Sequence, residues 1–133
     1  MRVLLVLLLS HSVFAQTPDT SNFACVKELE VPGYPGIARA TSTQGDVTAR
    51  IELGDNGRVL AVHTSSPDDS PIAKILATVI ENHVPFGKYD AACNGKTVTL
   101  IFRFQIAVDR RPTAGYTYPN VFLISANSEP FQK

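Results

Sequence analysis

Gly45-Asp46-Val47-Thr48-Ala49-Arg50-Ile51-Glu52-Leu53 alternates apolar and polar residues without a break. Val47, Ala49, Ile51 and Leu53 fall on one side, and Asp46, Thr48, Arg50 and Glu52 on the other. A period of two is the signature of a strand with one buried face and one wet face. Gly54-Asp55-Asn56-Gly57 follows, supplying residues that tolerate positive φ, so the strand ends in a hairpin turn. The return strand runs from Arg58 to Ser65; its weaker alternation predicts a bulge.

Downstream the period changes. Ser70-Pro71 opens a helix, with Ser70 as N-cap and Pro71 at the first helical position, where a missing N–H costs nothing. Ile72, Ile75, Leu76, Val79 and Ile80 form one apolar stripe, and Lys74, Thr78 and Glu81 lie opposite. Pro85 ends the helix by disfavouring helical geometry at Val84. The clearest strand comes next: Val98, Leu100, Phe102, Phe104 and Ile106 point one way, and Thr97, Thr99, Arg103 and Gln105 the other, with Ile101 among them. Upstream, Pro32-Gly33-Tyr34-Pro35-Gly36 reads as a rigid turn, with Pro35 at the first position of a short helix over Ile37–Ala40. These elements predict an α+β fold in two layers. A three-stranded antiparallel sheet in β-β-α-β order carries one main amphipathic helix on one face, with a short N-terminal helix before it. Val121-Phe122-Leu123-Ile124 is a candidate fourth strand from the tail.

The chain has 133 residues, enough for one domain. Its 12 Lys and Arg balance 12 Asp and Glu, which gives no basic field to steer nucleic acid. Met1-Arg2, the apolar run Val3–Leu9 and Val13-Phe14-Ala15 before Gln16 form a secretory signal peptide with cleavage after Ala15. The alternative, an uncleaved anchor, needs about 20 apolar residues, whereas this run stops at Ser10-His11-Ser12. The organisation expected is therefore residues 1–15 as signal peptide, 16–30 as a polar lead-in, 31–107 as the folded unit and 108–133 as a tail. The mature protein is expected to be periplasmic or secreted, with no membrane span. Export favours a disulfide between Cys25 and Cys93 over two free buried thiols. A metal site is less favoured, because two Cys without nearby His do not make a tetrahedral set. The disulfide would close a loop of about 69 residues, worth at most about 4 kcal/mol of chain entropy.

Tyr34-Pro35, Ala38-Arg39, Gly45-x-Val47, Leu53-x-x-x-Gly57-x-Val59, Ser65-Ser66, the helix, and Asn94-Gly95-Lys96-x-Val98 ending in Phe102-x-Phe104 together resemble the C-terminal domain of the energy transducer TonB. The resemblance covers residues 31–106, and order and spacing carry it, since each short motif alone is a turn or a strand start. After the helix the family usually has Trp-x-Phe-x-Pro, where this chain has Asn82-His83-Val84-Pro85-Phe86. The resemblance implies the same sheet-and-helix fold and a periplasmic module. It also implies a domain whose sheet edge pairs with an extended peptide of an envelope protein, such as an outer-membrane receptor.

The expected binding strand is the last one, with Lys96, Val98, Leu100, Arg103 and Gln105 as its residues, because it is long and a Pro/Gly-rich segment after it would leave an edge exposed. Pairing with Val121–Ile124 would close that edge. Tyr116, Tyr118 and Phe122 either pack on the sheet or anchor a partner. No catalytic residue, metal or cofactor is called for. His63 and His83 have no second ligand fixed nearby, and Ser65-Ser66-Pro67-Asp68-Asp69-Ser70 reads as a helix lead-in without a nucleophile elbow. The other readings are a structural domain that dimerises edge to edge, and a small exported enzyme or inhibitor.

Overall fold

The computed structural model describes residues 22–107, 114–118 and 120–127, with the backbone alone at 116–118. The signal-peptide reading of 1–15 lies outside the described residues. In chain order the elements are β1 (Val26–Glu28), α1 (Gly36–Ala40), β2 (Gly45–Leu53), β3 (Val59–Ser65), α2 (Pro71–His83), β4 (Lys88–Tyr89), β5 (Thr97–Ala107), β6 (Ala114–Tyr118) and β7 (Val121–Asn127). The fold is mixed α+β with one main helix. No helix among the described residues is long and apolar enough to cross a membrane.

β2 has the expected bounds, and its apolar positions are buried while the intervening ones are not. The turn behind it uses the two positive-φ residues that the sequence supplies, Asn56 (φ 56°) and Gly57 (φ 71°). Gly57 is also required sterically, since a Cβ there would sit 2.2 Å from the Tyr89 carbonyl oxygen. β3 returns antiparallel to β2 with a bulge, where Glu52 pairs Ala61 but Leu53 pairs Val59. In α2 the Ser70 hydroxyl accepts from the Ala73 N–H at 3.2 Å, so the predicted cap is formed. Ala73, Leu76, Ile80 and then Val84 are buried, so the stripe is centred one position off Ile72 and Ile75, which are half-buried. Pro35 is the N-cap of α1 rather than its first residue, and Gly36 opens the helix.

The sheet is larger than three strands. Five strands pair in the order β3-β2-β5-β7-β6, and β1 and β4 form a separate two-stranded sheet. β2 and β5 are antiparallel, from Gly45 opposite Phe104 to Glu52 opposite Thr97. β7 runs parallel to β5, from Val121 beside Ile101 to Asn127 beside Ala107. β6 is antiparallel to β7 and forms the far edge. β6 thus lies one strand width beyond β5, and β7, later in the chain, fills the gap between them. Periodicity reveals each strand but not this insertion, which is why the tail was expected to add one edge strand at most.

One face of the sheet carries Val47, Ile51, Val98, Leu100, Phe102, Phe104, Phe122 and Ile124, all buried. This face packs against α2. Phe122 lies 6.0 Å from Phe102, ring to ring, so it packs on the sheet. The residues read as a lead-in also take part: Phe23, Val26 and Leu29 pack against the core. Cys25 and Cys93 bring their sulfurs to 2.08 Å, disulfide distance, at a sequence separation of 68. The Asp90 N–H donates to the Cys25 carbonyl at 2.8 Å beside the bridge. The disulfide therefore ties the N-terminal segment to the loop that leads into β5.

Candidate binding surface

The outer side of β5, the edge expected to dock a peptide, is used within the chain. From Ile101 onward β7 pairs with it. Before Ile101 side chains take over: Asn22 Nδ2 donates to the Thr97 carbonyl at 2.7 Å, and Asn120 Nδ2 donates to the Thr99 carbonyl at 3.1 Å. The Asn120 backbone carbonyl accepts from the Ile101 N–H at 2.9 Å. Val98 and Leu100 are fully buried against the helix layer. Lys96 precedes the strand and its carbonyl accepts from the Leu53 N–H at 3.0 Å. The exposed β5 edge expected around Lys96, Val98 and Leu100 is corrected accordingly: the inserted β7 occupies it from Ile101, and two asparagine side chains bond the outward carbonyls of Thr97 and Thr99.

Arg103 and Gln105 lie on the face of the sheet away from α2. Arg103 makes a bidentate pair with Asp46, Nε to Oδ1 at 3.0 Å and Nη2 to Oδ2 at 3.1 Å. The hydrogen bond to Asp46, and then its charge, hold the Arg103 guanidinium above its already high ordinary pKa. On the same face His63 Nε2 lies 3.4 Å from Glu52 Oε1, with both side chains exposed. His83 is half-buried, with Nδ1 at 2.8 Å from the Val79 carbonyl. The two histidines stand on different elements and neither lines the two clefts described below. No group of three or more His, Cys, Asp or Glu side chains suited to a metal occurs among the described residues.

β3 is the edge of the sheet opposite β6. It pairs with β2 on one side and has no strand on the other among the described residues. Its backbone orientation follows from β2. The N–H and the C=O of Leu53 bond to Lys96 and Gly95 on the β5 side, so alternation turns those of Arg50 and Glu52 toward β3. Their partners His63 and Ala61 therefore face β2, and the N–H and C=O groups of Val62 and Thr64 face outward. At the start of this edge Leu60 is 57% exposed, and Phe86, in the 3-10 turn Val84–Phe86 that packs against β3, is 76% exposed. These are the two most exposed large apolar side chains among the described residues. The bulge and the weak alternation of Val59-Leu60-Ala61-Val62 are the sequence signal for this edge, which the choice of the longer β5 passed over.

A cleft of about 320 Å³ runs between the end of β3 and α2. Thr64 and Ser65 line one wall, and Lys74, Ala77, Thr78 and Glu81 the other. Asp68 and Asp69 close one end. The Thr64 hydroxyl donates to Glu81 Oε1 across it. Asp68 is held by the helix lead-in: Oδ1 accepts from the Ser70 N–H at 2.8 Å and Oδ2 from the Ser70 hydroxyl at 3.2 Å. A second cleft of about 410 Å³ lies on another part of the surface, lined by Val31, Tyr34, Arg39 and Ile124 among others. Arg39 Nε donates there to the Asn127 carbonyl at 2.6 Å.

No family model, no curated protein and no solved structure matches this chain. The class that fold and surface define is a disulfide-tied, mixed α+β domain with a sheet edge, β3, beside its main helix.

Proposed function

We propose that this protein is an exported, non-enzymatic binding module that pairs the β3 edge of its sheet with an extended segment of an envelope protein, in the manner of β-augmentation. The reading keeps the mode of binding that the TonB C-terminal resemblance implies, including a link to outer-membrane transport, and moves it from β5 to β3. One observation carries it: the outward backbone groups of Val62 and Thr64 lie on an unpaired strand flanked by exposed Leu60 and Phe86. An exposed edge with apolar side chains is a template for another chain. A disulfide suits an oxidising compartment such as the periplasm or the exterior.

The test is selection of linear peptides from a displayed random library on the disulfide-intact chain. Selected peptides are expected to slow hydrogen exchange at the Val62 and Thr64 amides. Thr64→Pro removes an outward N–H and leaves the β2–β3 ladder intact, so it is expected to abolish binding, while Thr64→Val retains it. Peptides that bind equally well to Thr64→Pro would rule out the β3 edge. A rise in mass to that of a dimer at dilute concentration would instead favour edge-to-edge self-association.

A further inference from the structure

We infer that the segment docked along β3 carries a Lys or Arg side chain that enters the cleft between β3 and α2. This rests on the β3-edge reading above and specifies the partner's chemistry.

The register comes from strand geometry. A strand added outside β3 places the residue opposite Thr64 on the same face as the Thr64 side chain. That face looks toward α2, because Thr64 pairs with buried Ala49 and its hydroxyl reaches Glu81. The partner's side chain at that position therefore lies over the cleft.

The charge comes from what lines the cleft. Asp68, Asp69 and Glu81 contribute three carboxylates against the single ammonium of Lys74. None of the three has a cationic side chain within ion-pair distance among the described residues. The N-terminus of α2 partly offsets Asp68 and Asp69. Glu81 has no such offset. It stands in the last turn of α2, where the helix dipole already places negative potential, and a carboxylate there works against the helix. A guanidinium or ammonium beside the Glu81 carboxylate, next to its bond from Thr64, would relieve both the carboxylate and the dipole. An acidic side chain at the same position would meet the like charge of Glu81. The cleft therefore selects by repulsion as well as attraction.

The test uses the same displayed library on the full, disulfide-intact chain. Peptides whose binding is lost on Thr64→Pro are expected to be enriched in Lys or Arg at one position. Synthetic versions with that basic residue changed to Glu should bind about tenfold more weakly at low salt. The difference should shrink in high salt. Glu81→Lys, at an exposed position, should reverse or erase the preference, with an unchanged melting temperature confirming the fold. Thr64→Pro-sensitive peptides with no basic enrichment, or with a preference untouched by Glu81→Lys, would overturn this inference and leave the edge reading standing. Absence of any Thr64→Pro-sensitive peptide would overturn both.

Discussion

Asn120 donates its side-chain amide to the Thr99 carbonyl at 3.1 Å, while its own carbonyl accepts from Ile101 at 2.9 Å. One residue thus finishes the outer side of β5 at the point where β7 begins. Asn120 is 1% exposed, so its side chain is packed away from solvent. Asn120→Ala is expected to lower stability by about 1–3 kcal/mol, through the lost hydrogen bond and the carbonyl left without its donor. Urea unfolding measures it. A change within error would mean that solvent reaches this edge.

The Cys25–Cys93 bridge joins the N-terminal segment to the loop before β5. Replacing both cysteines with alanine is expected to destabilise the chain by about 2–4 kcal/mol, mostly by freeing the unfolded chain. The intact protein should show no alkylatable thiol without reductant. A full two-thiol signal from native, unreduced protein would contradict the bridge.

Much of the fold was legible because it is local. The bounds of β2, the positive-φ turn, the Ser70 cap and the end of the helix near Pro85 depend on neighbours in sequence, and the residues there state them. The five-strand order depends on contacts that no local pattern contains. Val121–Ile124 announces a strand, but its insertion beside Ile101–Ala107 is set by pairing across the sheet. That insertion closed the β5 edge and left β3 and β6 as the edges of the sheet. Arg103 shows the same limit: its polar-face position was readable, its partner Asp46, 57 residues away, was not.

Asp46 and Arg103 form a well-aligned pair, yet both side chains are more than a third exposed. Water and salt therefore screen most of the attraction. A double-mutant cycle with Asp46→Ala and Arg103→Ala is expected to give a coupling of less than about 1 kcal/mol, smaller still in high salt. A coupling of several kcal/mol would show the open face to be covered in solution.

Tyr34 sits at the edge of the core, its ring 5.4 Å from Phe104 in a T-shaped contact and its hydroxyl bonded to the Thr43 carbonyl. Burial pushes its pKa up to about 12 from 10.0. A pKa raised on folding means that the folded state holds the proton more tightly than the unfolded one. The associated stability is fully present below pH 10 and drains away as the pH climbs from about 10 through 12. Tyr34→Phe keeps the ring against Phe104 and removes the proton. Its stability should be lower than wild type near neutral pH, by about 1 kcal/mol for the lost hydrogen bond. Between pH 10 and 11.5 its stability should fall less steeply than that of wild type, and the gap between the two should close. Denaturant unfolding of both chains at several pH values tests this. Parallel curves across that window would place the Tyr34 hydroxyl in water.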